Sequence, residues 1–429
     1  MNGRAAAPRH ASVNHPLVQA IVWDPTREAE RIRDDVLMFR ATSNSYLVAS
    51  EDGDTVVNTG LDYQAPRIRE AFEQLLGRPL AVRTIVFTQH HADHIGGWSV
   101  FAEPGTETIA QAFHPEARRD RRVLKDFFAP RLLRVLGSAN AANPQLAEHR
   151  RAWVETEEPT VTRLVDDADA FETGGRRFEL FSTPGGEALD CLVVWLPGEK
   201  VVFTGNLTGA LHGALPHLYT PRGDRQRSAR RFVHDVDRVL ALEPELLVTG
   251  HGDPVEGTAR IRAELTKVRD AVEYIDDRTV GGMNAGKDLW TLMNEVALPP
   301  ELEPAPGRGP VSWYVRAIWE EHAGWFRQES TTELYGVPPS AVWSELAELA
   351  GGPDVLARRA ADHLAAGRPV EALHLLDIAL GAHPAHVPAL EVQVAALELL
   401  IDRTRGEPFD ELCWLEGELA RVRFVLAGR

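Results

Sequence analysis

The sequence predicts an α/β domain followed by an all-helical one, and three observations predict it. Short apolar runs of strand type alternate with amphipathic helical segments from Val36 to about residue 277. A proline-rich stretch, Ala297 to Pro310, can be neither helix nor central strand. Beyond it, nearly every segment carries a helical stripe of apolar residues.

Residues 1–34 read as a polar leader with one short apolar element, Leu17 to Trp23. Strands are then expected at Val36–Phe39, Tyr46–Val48 and Thr55–Val57, divided by the turn residues Ser43-Asn44-Ser45 and Asp52-Gly53-Asp54. A helix is expected over Ala65–Leu76, with Ile68, Phe72, Leu75 and Leu76 on one face and Gly77 as its stop. The apolar run Val82 to Phe87 is the next strand. Further strands are expected at Phe178–Phe181, Leu192–Trp195, Val201–Phe203 and Leu246–Val248, alternating with helices over 115–136, 227–242 and 257–277. In the last part, Ser340 is read as an N-cap before the stripe Val342, Leu346, Leu349, which Gly351-Gly352 closes. Leu356, Ala360 and Leu364 start another helix, Leu373, Leu376 and Leu380 a third, and Leu390, Val394, Leu397 and Ile401 a fourth. These short hairpins are similar to tetratricopeptide-type pairs, without a strict repeat. Trp313, Trp319 and Trp325 read as packing residues.

Composition sets outer bounds. The 429 residues make two domains the default. A net charge of −17 argues against a nucleic-acid partner and provides no general steering field for anions. Two cysteines, Cys191 and Cys413, suit neither a disulfide framework nor a thiolate zinc site. Met1 to Leu17 lacks an apolar segment of signal-peptide type, and no run is long enough to span a bilayer. The expectation is a soluble, cytoplasmic protein without a membrane partner.

The chemistry concentrates after the strand that ends at Phe87. Thr88-Gln89-His90-His91-Ala92-Asp93-His94-Ile95-Gly96-Gly97 puts imidazoles and a carboxylate within a few residues of a strand end. A backbone turn there lets near neighbours converge on one ion. His90 points away from His91 if the turn is extended and is read as structural. Four later or earlier turns follow strands in the same way: Val57-Asn58-Thr59-Gly60, Thr183-Pro184-Gly185-Gly186-Glu187-Ala188, Thr204-Gly205-Asn206, and Thr249-Gly250-His251-Gly252-Asp253.

The first of these stretches resembles the metallo-β-lactamase superfamily signature His-x-His-x-Asp-His, with Gln89 in the place of the first His. Thr183 to Ala188, with Glu187 as the ligand, resembles the alkylsulfatase subfamily, as does Leu218-Tyr219-Thr220-Pro221-Arg222-Gly223, whose Arg binds sulfate there. Tyr274 to Asn284, Leu298-Pro299-Pro300, Val315 to Trp319 and Gly324-Trp325-Phe326 are similar to the alkylsulfatase dimerisation domain. The resemblance covers residues 35–429 and ends short of a sterol-carrier-like domain. It implies a metallo-β-lactamase αββα sandwich over 35–260 after the 1–34 leader, and an all-α helical dimerisation domain over 261–429 that forms a homodimer.

The same resemblance places Gln89, His91 and Glu187 at one metal site and Asp93, His94 and His251 at a second, with position 206 bridging. Asn206 removes a bridging carboxylate, and an amide at 89 is a poorer zinc ligand than an imidazole. One divalent metal, zinc, is therefore expected to be held firmly and a second weakly. The implied function is an alkylsulfatase-like hydrolase of a small ester, sulfate ester or specialised metabolite, in which the ion acidifies a bound water. Asp93 would hold the ion and orient that water, and Arg222 would neutralise an anionic small-molecule substrate. Two alternatives stay open: a non-haem iron oxygenase using Asp93, His94 and His251, and a dimeric scaffold without catalysis.

Overall fold

The computed structural model describes residues 11–142 and 156–428. They fall into two compact units. One holds residues 14–132 and 156–322, and the other holds 11–13, 133–142 and 323–428.

The first unit contains two sheets. One runs β1 (Glu30–Arg33), β2 (Val36–Arg40), β3 (Asn44–Val48), β4 (Asp54–Val57), β5 (Val82–Val86), β6 (Glu107–Gln111) and β7 (Arg163–Val165), in chain order. Its first half is antiparallel, and β4 to β7 are parallel. The other sheet is formed by β8 (Ala168–Thr173), β9 (Arg176–Ser182), β10 (Leu192–Leu196), β11 (Val201–Gly205), β12 (Leu246–Thr249) and β13 (Val255–Glu256), again ordered along the chain. Here β11 and β12 are the parallel pair.

Period-two alternation explains the layers. Val36, Met38, Tyr46, Val57 and Val86 face Leu180, Leu192, Val194, Phe203 and Val248 between the sheets. Their neighbours Leu37, Phe39, Leu47, Val56 and Ile85 point outward under the helix Ala65–Leu76. Val193, Trp195 and Val202 face out of the second sheet against helices Ala229–Ala241, Thr258–Asn284 and Val311–Ala323. Each fully buried Phe, Leu or Val contributes about 1.5–3 kcal/mol. The result is the expected αββα sandwich followed by helices. Helix Thr258–Asn284, which the sequence reading grouped with the later module, packs its Ile261, Leu265, Val268 and Ile275 onto this sandwich.

Several expectations needed correction. The helix expected over 115–136 is two, His114–Val123 and Lys125–Ala142, parted at Leu124. The second unit contains the expected helices Pro353–Ala365, Pro369–Ala382 and Val387–Thr404, followed by Phe409–Leu426. Ser340 is not an N-cap: Pro338 and Pro339 start a 3-10 turn, and the helix begins only at Trp343. The expected stripe Val342, Leu346 and Leu349 is exposed at all three positions, and Ala347 is the buried residue of the helix. Leu349 is 85% exposed. Trp319 packs against the core as expected, whereas Trp325 is 72% exposed. Among the described residues, no helix is long and apolar enough to cross a membrane.

Candidate metal centre

Parallel pairing brings the functional turns together. Because β4 and β5 run parallel, the segments following them, Asn58 to Gly60 and Thr88 to His94, leave at the same edge. β11 and β12 do the same for Asn206 and His251. Asn58 adopts a left-handed conformation (φ 59°), which turns its side chain back onto the neighbouring loop. Its Oδ1 accepts from Thr88 N and from Thr88 Oγ1, both at 3.0 Å.

Asp93, His94 and His251 form a buried group whose ligand atoms all lie within 4.8 Å of one another. Asp93 Oδ2 is 3.7 Å from His94 Nε2 and 3.6 Å from His251 Nε2. Each ring is oriented by its other nitrogen. His251 Nδ1 donates to the Thr42 carbonyl at 2.6 Å, and His94 Nδ1 donates to Thr88 Oγ1 at 3.1 Å. On each ring Nε2 is thereby left as the nitrogen that carries the lone pair, the tautomer that prepares a histidine for metal. Burial lowers the His94 pKa to about 4, so the ring is neutral and ligand-competent at neutral pH. Asp93 Oδ1 and Asn206 Oδ1 are buried without a hydrogen bond among the described residues. Unsatisfied buried oxygens beside two oriented imidazoles fit an oxygen- and nitrogen-binding divalent ion. Gly250 keeps this space open, since a Cβ there would lie 1.9 Å from Asn206 Oδ1 and 2.8 Å from His94 Cε1.

The other residues expected at the centre are present but bonded to one another. Gln89 Nε2 donates to His91 Nδ1 at 2.7 Å and to His94 Nε2 at 3.3 Å, while its Oε1 faces Cys191 Sγ at 3.5 Å. In this orientation Gln89 presents a nitrogen without a lone pair to the imidazoles. Asn206 Nδ2 donates to Glu187 Oε2 at 2.6 Å and to His251 Nε2 at 3.2 Å. His91 Nδ1 lies 3.9 Å from Glu187 Oε2, and burial with the neighbouring His90 holds the His91 pKa well below its usual value.

Glu187 collects positive charge on its other oxygen. Arg308 Nη2 is 3.5 Å from Oε1, and Arg222 Nη2 and His217 Nδ1 are both at 3.8 Å. Burial alone would raise the Glu187 pKa, but His217, His91, Arg308 and Arg222 together hold it well below the carboxylate range. Burial and the adjacent Arg308 bring Arg222 down to about 10. Arg222 thus lies beside the segment that carries Glu187. Arg308 was missed, because an arginine in a Gly-Arg-Gly-Pro turn 121 residues from Glu187 carries no local signal. His90 packs edge-on against His91 instead of pointing away from it, with ring centroids 4.7 Å apart; its Nδ1 pairs with Asp190 Oδ1 at 2.7 Å, and His114 Nδ1 takes Asp190 Oδ2 at 3.0 Å.

Residues 39–251 match the metallo-beta-lactamase superfamily, and residues 291–408 match alkyl sulfatase dimerisation. A linear primary-alkylsulfatase from a Pseudomonas species is 26% identical over 334 residues, covering 74% of this chain and 62% of that protein. An (R)-specific secondary-alkylsulfatase from Pseudomonas sp. is 28% identical over 272 residues, covering 61% of this chain and 38% of that one. In fold, the chain is similar to the stereoselective inverting sec-alkylsulfatase Pisa1 from Pseudomonas sp., with a TM-score of 0.78 and 21% identity. That superposition covers 92% of this chain and 65% of the other. The chain spans less than two thirds of the length of each of these relatives.

Proposed function

We propose that the chain, whose residues 39–251 match the metallo-beta-lactamase superfamily and residues 291–408 alkyl sulfatase dimerisation, is a metal-dependent hydrolase of sulfate esters. The observation that carries the reading is the Asp93, His94 and His251 group, with each imidazole locked by its own second hydrogen bond. These three residues hold one divalent ion, zinc in this proposal. A second position, at His91 and Glu187, is weak because Gln89 and Asn206 offer it amide donors. When bound, the ion acidifies a water and polarises the scissile group.

The chain's own residues do the rest. Arg222 and Arg308 present buried guanidinium groups to an anionic head, where low dielectric strengthens each contact. Glu187 keeps both guanidinium groups in place without substrate. Asp93 holds the ion and orients the water. A homodimer formed through the dimerisation region, and a cytoplasmic location that keeps the buried Cys191 and Cys413 reduced, complete the proposal.

The two-His-one-carboxylate set also favours a second reading, iron-dependent oxidation, since that ligand type leaves open positions on iron(II). Metal analysis of protein purified without added metal, paired with hydrolysis of short alkyl and aryl sulfates, separates the two. One zinc per chain and activity that a chelator abolishes and zinc restores are expected. Iron as the resident metal would transfer the case to oxidation. Absence of any metal, with no ester turned over after reconstitution, would leave only a scaffold.

A further inference from the structure

A cavity of about 490 Å³ lies beside the metal centre. The loops that build the centre also build this cavity: His90, Leu189 and Gly223 line it, and each sits within two residues of His91, Glu187 or Arg222. His90 is the shared wall, with its ring centroid 4.7 Å from that of His91. Asp190 fixes the ring through Nδ1, and Arg121 Nε reaches Nε2 at 3.4 Å. The cavity is therefore ordered on the side nearest the chemistry, and its volume is that of a small-molecule site, roughly 300–1,000 Å³.

The remaining wall is aromatic and cationic. Phe113, Phe127 and Phe128 line it, and a guanidinium group stacks on each: Arg225 on Phe113 and Arg121 on Phe128 at 5.0 Å, and Arg131 on Phe127 at 5.1 Å. Two of these cations are already neutralised. Arg121 pairs with Asp224 at 2.9 Å, and Arg225 pairs with Glu116 at 2.6 Å and Asp120 at 2.7 Å. Arg131 differs: among the described residues its hydrogen bonds go to the carbonyl oxygens of Pro221 and Arg222, at 3.0 and 3.2 Å. Carbonyl oxygens orient a guanidinium but leave its charge in place. An aromatic surface with one uncompensated cation at its edge is complementary to a flat apolar body carrying an anion.

We propose that this cavity receives the organic part of the substrate, an aromatic acid. Its ring lies on Phe127 and Phe128, and its carboxylate pairs with Arg131. The assignment rests on the hydrolase reading, in which the sulfate head meets Arg222 and Arg308 across the His90 wall. In that hydrolysis the oxygen of one water bonds to sulfur and the ester sulfur–oxygen bond breaks. The phenol oxygen takes one of the water's protons, which would leave a hydroxyaryl acid in the cavity and release hydrogen sulfate.

The product side can be tested without turnover. Calorimetric titration with 4-hydroxybenzoate and with phenol should show the acid binding at least tenfold more tightly. Arg131→Gln should remove that preference, Arg131→Lys should restore part of it, and Phe128→Ala should weaken both ligands at least tenfold. Absence of 4-hydroxybenzoate binding to the folded wild-type protein, or a preference that survives Arg131→Gln, would overturn the assignment. The outcomes separate it from the hydrolase reading. Binding of 4-hydroxybenzoate with no hydrolysis of 4-carboxyphenyl sulfate would keep the cavity and remove the hydrolase. Hydrolysis of short alkyl sulfates with no such binding would do the reverse.

Discussion

Gly250→Ala probes the metal centre through packing alone, without removing a ligand. The new Cβ would stand 1.9 Å from Asn206 Oδ1 and 2.8 Å from His94 Cε1, where ordinary contacts begin near 3.4 Å. The amide must therefore retreat by about 1.5 Å. It cannot do so freely, because Asn206 Nδ2 is tied to Glu187 at 2.6 Å and to His251 at 3.2 Å. The collision should cost about 1–3 kcal/mol of stability through overpacking. Displacing His94 and its partners should weaken metal binding roughly 10–100-fold. Gly257→Ala is the matched control. Its φ of 97° strains an alanine, but nothing lies within 4 Å of the added Cβ. It should lower stability by about 1–2 kcal/mol and leave metal affinity unchanged. Zinc affinity measured against a competing chelator, alongside urea unfolding, distinguishes the two variants. Wild-type affinity in Gly250→Ala would show that Asn206 and His94 do not border the ion, and the reasoning would fail.

Gln89→His combined with Asn206→Glu supplies an imidazole and a bridging carboxylate, so bound metal should rise from about one towards two per chain by elemental analysis. An unchanged stoichiometry would refute the place given to both residues. Asp93→Asn should cut zinc affinity at least tenfold, because a neutral amide replaces the carboxylate between the two imidazoles; affinity within twofold of wild type would count against this centre. Arg308→Ala should weaken inorganic sulfate binding about tenfold by calorimetry, the effect of losing one charge-assisted contact, while metal content stays constant. Burial would raise the Asp224 carboxyl, but Arg121 and Arg227 hold it down at about 2, against an ordinary 3.8. A depressed carboxylate gives stability that is complete above its unfolded pKa and lost as pH falls from about 4 towards 2. Asp224→Asn should remove about 2 kcal/mol of that acid-limb slope, read by urea unfolding across pH 5 to about 2.5.

The central strands were legible because they are β-branched and two-sided. Val36–Phe39, Thr55–Val57 and Val201–Phe203 are apolar on both faces, as strands buried under helices must be. Five strands escaped notice, β1, β6, β7, β8 and β13, and four of them lie at sheet edges: β1 and β7 in the first sheet, β8 and β13 in the second. β1 reads Glu-Arg-Ile-Arg and β8 reads Ala-Asp-Ala-Phe-Glu-Thr, with charge that discourages further pairing. β6, Glu-Thr-Ile-Ala-Gln, is interior, but its apolar run is too short to stand out. In the site, the strand-end turns could be read because each lies next to the strand that aims it. The contributions of Arg308 and Thr42 could not. They reach the centre through a proline-rich loop and a backbone carbonyl whose role no side chain announces.

The centre divides chemically into two halves, and its charge explains why. On one side, Asp93 sits between two oriented imidazoles, with an unsatisfied oxygen of its own. On the other side, Glu187 is already matched by Arg222 and Arg308, and its second oxygen is taken by the Asn206 amide. A dication placed beside Glu187 would meet those guanidinium groups at close range with a single carboxylate to screen it, in surroundings where like charges repel strongly. An anion placed there meets the opposite balance. An amide at position 206 adds no negative charge beside Glu187, so part of the guanidinium charge of Arg222 and Arg308 stays available to a substrate. A cleft with a cation-binding half and an anion-binding half fits an ester whose anionic head must be held while water attacks. That division follows from residues a linear motif cannot weigh together, since Asn206, Arg222 and Arg308 carry it only when all three face Glu187.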